Sequence, residues 1–449
     1  MSALTDLSSE LAELQAAATP PAGADSELTL QITEKRTIGW GEGRPSLNNA
    51  SVSKGACLRV IAGGGQGIAT TTVPDPESLK ALSVRALEAA RSTGADPHRA
   101  VAKPPAGYPS SVAADPETLS RPSDDILDEL RSLEAAALAT DKRLKKVVRL
   151  AYSEARFRQG VANSRGVHVV GEGTVSSFSL EVLAAEGQTT EAGWDFEGHR
   201  LGKNLSLKQI VLQTAADAVR SLGGSPMSTG RYAVVFHPRV GGQLLDLVGE
   251  ALSAEAVQRG RSFLRGLTGK AAAAKVVTIV DDPFLPDGMA SGAFDDEGVP
   301  REKLEPVTSG VLSTYFYDLR SAAREARASN GRASKESFGS PPRPGSTNLF
   351  IRPGEAKLQE MLSSSKKVFL LREVMGLHMA DPITGEFSLG ASGLLYENGA
   401  FVRPVRGITI AGTLSGVLNS IEAVGNDLRF YGTTGSPSLL VGGMSIAGN

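Results

Sequence analysis

The stretch GGQLLDLVGEALSAEAVQRG, residues 241–260, sets two carboxylates, Asp246 and Glu250, four residues apart. On an α-helix, residues i and i+4 share a face, so the pair would offer its oxygens to one cation or one substrate. A zinc hydrolase built on such a helix uses two histidines at that spacing and a glutamate that activates water. Here no histidine or cysteine stands beside the carboxylates. The five histidines are His98, His168, His199, His237 and His378, and the closest two lie more than 30 residues apart. Two carboxylates alone make a weak hard-cation site or a solvated helix face.

Other chemistries find less support. No G-x-S-x-G elbow occurs, and LGASGLL around Ser392 lacks the second glycine at the required offset. Cys57, between Ala56 and Leu58, reads as a small core residue. GGGQG at 63–67 has no Lys-Ser/Thr after it and opens a strand, so it reads as a hairpin turn and not a phosphate cradle.

The elements that must position these residues follow from periodicity. Leu4, Leu7, Leu11 and Leu14 form one stripe of a first helix, followed by a break at ATPPAGAD. LTLQITEK, ACLRVIA and QGIATTT alternate as strands, and PDPESLKALSVRALEAARST is an amphipathic helix. The proline-rich GADPHRAVAKPPAGYPSS marks a first boundary. Beyond it come the helix SDDILDELRSLEAAALAT, three long alternating strands (KVVRLAYSEARFRQGVA, VHVVGEGTVSSFSLEVLAAEG and TTEAGWDFEGHRL), and a helix with an expected capping box at Ser206 and Gln209. LGGSPMSTG is the second boundary. The strand RYAVVFHP then leads into the helix at 241–260, and the remainder is strand-like and turn-dense. The fold class is α+β: an N-terminal α/β region (1–100), a central region of helices plus long antiparallel strands (101–228), and a mainly β C-terminal domain (229–449) that holds the carboxylate helix.

Composition narrows the partners. Basic and acidic residues number 47 and 49, which argues against direct nucleic-acid contact and against an anionic membrane surface. No apolar run is long enough to span a bilayer, and the first helix does not read as a signal peptide. One cysteine excludes an internal disulfide framework, and the expected location is the cytoplasm.

Residues 376–428, GLHMADPITGEFSLGASGLLYENGAFVRPVRGITIAGTLSGVLNSIEAVGNDL, followed by GSPSLLVGGMSIAG, resemble the TldD/TldE (PmbA) metallopeptidase family, in particular its TldE branch. AVQRGRSFL, LRVIAGGGQGIATTT and NSRGV fit the same family, so the likeness touches all three regions. The resemblance implies that a TldD-type subunit carries His-Glu-x-x-x-His on the equivalent helix, with a C-terminal cysteine as third zinc ligand. Laid on LDLVGE, that motif puts its first histidine at Leu245, its glutamate at Asp246 and its second histidine at Glu250. Both nitrogen ligands are absent, no cysteine follows Cys57, and a lone carboxylate binds zinc weakly.

What the resemblance implies is a non-catalytic chain with no cofactor of its own, partnered with a zinc-bearing TldD-like subunit. The two would form a heterodimer around a channel that hydrolyses unfolded or extended peptides. Arg259, Arg261, His378, Asn426 and Asp427 are the candidate channel or partner contacts. Two alternatives stand beside this reading. One is an independently active metallopeptidase with a non-standard site at Asp246, Glu250 and His378; the other is a homodimeric peptide-binding scaffold. Family members are linked by name to modulation of DNA gyrase and to maturation of a peptide antibiotic, and the near-neutral charge suits a peptide ligand better than DNA.

Overall fold

A computed structural model describes residues 3–18 and 23–448, with the side chains of Ala3, Leu4 and His378 outside the described set. Helix α1 (Ala3–Ala17) buries Leu7, Leu11 and Leu14, three of the four leucines of the expected stripe; the side chain of Leu4 lies outside the described residues. Strands β1 (Ala24–Gly41), β2 (Arg44–Ala62) and β3 (Gly65–Thr71) follow, then α2 (Pro76–Ser92), capped reciprocally by Asp75 and Ser78. The glycines of the β2–β3 hairpin do more than turn the chain. A Cβ on Gly65 or Gly67 would lie 2.0 Å or 1.9 Å from a carbonyl oxygen of α2, so glycine is what lets the helix rest on the strand backbone.

Helix α3 (Ser123–Leu138) buries Ile126, Leu130, Leu133 and Ala137, and is followed by β4 (Leu144–Asn163), β5 (His168–Glu186), β6 (Thr189–His199) and α4 (Leu207–Arg220). These strands join the first three in one antiparallel sheet of order β3-β2-β1-β4-β5-β6. The sheet therefore runs uninterrupted across the proline-rich connection near residue 100. That connection is itself held down: Asn163 donates to the Ala102 carbonyl at 2.9 Å, and Arg200 donates to the carbonyls of Val112 and Ala113 at 2.7 and 3.1 Å.

Two expectations need correcting here. Strand β2 is far longer than ACLRVIA, because residues 44–54 are exposed and carry no apolar alternation; backbone pairing with β1 holds them. The capping box at Ser206 and Gln209 does not form. Ser206 makes no side-chain cap bond, and its N–H donates to the Glu197 carboxylate at 2.8 Å.

The C-terminal region begins with β7 (Gly230–Phe236), α5 (Pro238–Ala251) and α6 (Ala254–Gln258). Short strands β8 (Ile279–Asp281), β9 (Leu304–Thr308) and β10 (Val311–Leu312) precede α7 (Leu319–Arg324), the bridge pair β11 (Ala333–Ser334) and β12 (Arg343–Pro344), β13 (Leu349–Ile351) and α8 (Leu358–Leu362). The chain ends with β14 (Lys367–Met375), β15 (Glu386–Glu397), β16 (Ala400–Thr413), α9 (Leu414–Asn419), β17 (Ile421–Val424), β18 (Arg429–Tyr431), β19 (Thr434–Ser436) and β20 (Leu439–Ala447). One sheet has the order β16-β15-β14-β7-β20-β17, and an added β16–β20 pairing closes β7, β14, β15, β16 and β20 into a barrel. The other has the order β10-β9-β8-β13-β19-β18, and α5 packs chiefly on its β19. Phe236, Leu245, Val248, Leu349, Phe369 and Leu389 belong to the shared core between them.

A buried charge cluster fastens the first sheet to this region. Arg59 of β2 donates to both oxygens of Glu27 on β1, at 3.1 and 2.7 Å, and reaches Glu297 of the C-terminal region at 3.0 Å. Glu27 and Glu297 are 0% and 1% exposed, and Lys335 adds a bond to the Thr29 hydroxyl at 2.8 Å. Burial works against the charge on Arg59, but its two carboxylates hold the guanidinium firmly protonated. Removing the cation strands two carboxylates away from water. Arg59→Leu is expected to cost about 3–5 kcal/mol in a denaturant unfolding experiment; an unchanged midpoint would remove the cluster from any role in holding the halves together.

Candidate functional site

Helix α5 starts where His237, its N-cap, accepts from the Arg239 N–H at 3.3 Å and Pro238 occupies the first turn. Burial, then the positive charge of Arg372, Arg239 and Arg429, pushes the His237 imidazole well below its ordinary range, so it stays neutral. The helix is pressed close to its neighbours: a Cβ on Gly241 would fall 2.3 Å from the Ser436 hydroxyl.

The expected single helix over 241–260 is two. The backbone of Leu252 and Ala254 turns away to bond Phe316, whose N–H and carbonyl they engage at 2.9 and 3.0 Å, and this interrupts the helical ladder.

On α5, Leu245 is 1% exposed and sits in the apolar core. Asp246 accepts a hydrogen bond from the Thr434 hydroxyl. Its outer flank reaches solvent, but the protein crowding its carboxyl, with Glu250 adding negative charge, raises it above the usual aspartate range despite the Thr434 bond. Glu250 is exposed and has no ion-pair partner among the described residues. These residues do not fit zinc. Leu245 has no lone pair, and among the described residues no group of three or more His, Cys, Asp or Glu side chains is arranged to hold a metal ion.

The charged side chains that do converge come from further away. Arg239, on the first turn of α5, stacks over Trp194 at 4.0 Å and lies 5.5 Å from the Tyr431 ring centroid. It donates to the Trp194 carbonyl at 2.8 Å and pairs with Asp195 at 3.3 Å; Arg429 of β18 takes the other oxygen of Asp195 at 3.0 Å. Arg429 also donates to the Phe196 carbonyl at 3.3 Å. Strand β6 is the edge of its sheet, and the two arginines thus cap two of its carbonyls.

This ridge separates two clefts. The larger, about 630 Å³, is bounded by Glu197, His199, Gln209, Asp287, Asp427 and Arg429. The smaller, about 250 Å³, is bounded by Glu191, Asp195, Asp217, Arg239, Arg372 and Glu373. Arg372 pairs with Asp217 and Arg406 with Glu191, so the smaller cleft is walled by ion pairs that tie α4 and β6 to the barrel.

In the larger cleft, His199 lies between two carboxylates: Nδ1 is 2.6 Å from Asp287 and Nε2 is 3.2 Å from Glu197. Burial alone would lower the imidazole pKa, but Glu197 and Asp287 outweigh it and raise it. Asp287 also accepts from the Leu201 N–H at 3.0 Å and the Asn204 amide at 2.9 Å. It ties the loop of the C-terminal region to the end of β6.

The remaining sequence candidates separate. Asp427 lines the larger cleft, yet its carboxylate is engaged by the Ser438 N–H at 2.9 Å and the Ser438 hydroxyl at 2.6 Å. Asn426 is exposed and donates its N–H to the Ala356 carbonyl at 3.1 Å. Arg259 makes a surface pair with Glu255 at 2.7 Å, and Arg261 is exposed; neither lines either cleft. The backbone of His378 lies in the short 3-10 turn Leu377–Met379, and its side chain is outside the described residues. Sequence reasoning missed Trp194, Arg239, His199, Asp287 and Arg429. One signal was available: in EAGWDFEGH, Glu191, Asp195, Glu197 and His199 alternate onto one face of β6.

Three family models cover most of the chain: PmbA/TldA metallopeptidase domain 1 over residues 27–90, the central domain over 116–222 and the C-terminal domain over 229–448. The chain is 28% identical over 390 residues to Metalloprotease PmbA of Escherichia coli O157:H7, covering 85% of this chain and 83% of that protein. It is 26% identical to a solved Thermotoga maritima protein, with a TM-score of 0.87 over 98% of this chain and 100% of that one. It shares the fold of TldE from Thermococcus kodakarensis, with a TM-score of 0.88 at 22% identity over 94% of this chain and 97% of that one. No helix among the described residues is long and apolar enough to cross a membrane.

The His199 geometry generates a pH prediction. Its folded pKa lies above the unfolded value of 6.5, so its stabilisation is complete below about pH 6.5 and is lost as pH rises through the folded value. His237, depressed on folding, works the other way and costs stability as pH falls below its unfolded value. Comparing urea midpoints of the wild type and His199→Gln isolates the first effect. The gap should be widest near about pH 5.5 and shrink toward about pH 9; a gap independent of pH would rule the ion pairs out.

Proposed function

The chain belongs to the PmbA/TldA metallopeptidase family, and on that premise we propose that it is the non-catalytic, TldE-like subunit of a cytoplasmic zinc peptidase acting on extended peptides. Its partner in this reading is a TldD-like chain that carries the zinc, joined to it as a heterodimer. The observation that carries the proposal is Leu245. Where the family resemblance puts the first metal ligand, this chain has a side chain without a donor atom, packed into the core, and the neighbouring Asp246 is spent on Thr434. The motif helix serves here as a structural element between the barrel and the second sheet.

Peptide handling remains within this chain's means. The face of β6 that carries Glu191, Asp195, Glu197 and His199 runs along both clefts, and polar side chains on a strand can grip an extended chain. A subunit that lines part of an enclosed path contributes binding and orientation, while the bond-breaking water is activated on the partner.

Metal analysis tests the assignment. The purified chain is expected to hold no stoichiometric zinc and to cleave no unfolded protein; adding a subunit with His-Glu-x-x-x-His should restore both zinc and cleavage. Stoichiometric zinc together with cleavage by the chain alone would sink the proposal in favour of an independent peptidase. A dimer of this chain that ignores the zinc-bearing subunit would favour the scaffold reading. A second expectation concerns the helix itself. Leu245→His buries an imidazole among apolar neighbours and should destabilise the chain by about 2–4 kcal/mol, measured by denaturant unfolding, without conferring zinc binding.

A further inference from the structure

Met289 is a wall of the larger cleft, and it also bounds a separate cavity of about 310 Å³ between the β4–β5 face and the loop that follows β8. Tyr108, Phe157, Val169 and Phe294 line this cavity, with Tyr108 and Phe294 edge to face at 6.1 Å. Glycines let its rings lie directly on the backbone of β5. On Gly171 a Cβ would come within 2.9 Å of the Phe294 ring, and on Gly173 within 2.2 Å of Phe157. On Gly292 it would lie 3.2 Å from the Arg301 guanidinium.

Arg301 is the one charged side chain with an uncommitted head on this wall. It donates to the Ala290 carbonyl at 3.0 Å, its Nε has no partner, and no carboxylate among the described residues lies within 4.0 Å. Its neighbour Arg200 shows the contrast: four backbone carbonyls, at 2.7 to 3.1 Å, occupy that guanidinium. The nearby Asp295 is already committed, since its oxygens take the N–H groups of Glu297, Val299 and Ala333 at 2.9 Å each. Glu172 borders the cavity, but it sits on β5 opposite Arg158, one position out of phase with the face that carries Gly171 and Gly173.

From this we infer that the cavity binds a carboxylate borne on an aromatic or branched apolar body, with Arg301 receiving the carboxylate. Guanidinium matches a carboxylate in a planar, charge-assisted pair, and the ring-lined walls suit an apolar side chain. Two sources share this chemistry, the C-terminal residue of a peptide and a free acid of amino-acid size. The shared Met289 wall sets the cavity beside the proposed peptide cleft, as a C-terminal end would require; that choice of source rests on the peptide reading above, whereas binding of a small acid does not.

Calorimetric titration of the full chain separates the possibilities, with N-acetylphenylalanine, its carboxamide and an acetylated pentapeptide ending in phenylalanine as probes. The acid is expected to bind, with the carboxamide at least tenfold weaker. Tighter binding of the pentapeptide assigns the site to peptide termini; weaker binding assigns it to free acids. Arg301→Gln should weaken acid binding at least tenfold. Ser111→Trp, at the exposed mouth, should block it while the thermal midpoint stays put. Equal binding of acid and carboxamide, or of wild type and Arg301→Gln, would overturn the assignment whatever the fate of the subunit proposal.

Discussion

The geometry of both clefts turns on a single guanidinium. Arg239 is 6% exposed, sits over Trp194, and grips both the Trp194 carbonyl and Asp195. It leaves the first turn of α5, so the helix of the C-terminal region is referenced directly to the edge of the first sheet. A lysine could not do this, because a compact ammonium has neither the planar face to stack on indole nor a second nitrogen to reach Glu373, at 3.6 Å, while the first serves Trp194 and Asp195. Arg429 repeats the grip from β18 on the other oxygen of Asp195. The two arginines also answer a problem every sheet faces at its edge, where free backbone groups invite pairing with any passing strand. At Trp194 and Phe196 those carbonyls are already taken, so an extended chain can add to β6 only beyond the capped stretch.

Much of this architecture is legible in the sequence because it obeys one-dimensional periods. Leu7, Leu11 and Leu14 of α1, the Leu79, Leu82, Ala86 and Ala90 face of α2, and the Ile126, Leu130, Leu133 and Ala137 face of α3 are all buried as their spacing requires. The long strands of the central region alternate visibly and form where expected. Legibility stops where a long-range backbone contact decides. Nothing local announces that Phe316 will claim the backbone of Leu252 and Ala254 and cut the helix in two, or that Glu197 will take the N–H of Ser206 that a capping glutamine would otherwise hold. The exposed half of β2 carries no pattern at all; its strand character comes from its neighbour.

The candidate site was legible in a narrower sense. Helical spacing marks Asp246 and Glu250, the family resemblance marks Leu245, and the core position of Leu245 agrees with its apolar character. Residues chosen for proximity in sequence to that helix, Arg259 and Arg261, face solvent, because the break at Ser253 redirects the chain after α5. The side chains that wall the clefts come from β6, α4, α5, β14, β18 and the loop at Leu285–Met289, segments brought together only by the packing of the first sheet on the C-terminal region. Their one local trace is the alternation in EAGWDFEGH, easily read as an ordinary half-exposed strand.

Under the reading proposed above, α5 stands at a metal-ligand position without the ligands, and such a helix has two physical options. It can drift, since a solvated helix face constrains nothing, or it can be absorbed into the packing of its neighbours. The packing of α5 matches the second. Leu245 belongs to the same apolar core as Leu349 and Phe369; Gly241 and Gly249 bring the helix against Ser436 and Leu349; and Asp246 is bonded to Thr434. Placing a metal here would therefore require more than replacing three side chains, because an imidazole at 245 would point into a core that has no polar partner prepared for it. The charged ridge and the two clefts impose no such demand. They are built from arginine–carboxylate and histidine–carboxylate pairs, which need no metal ion to hold their shape.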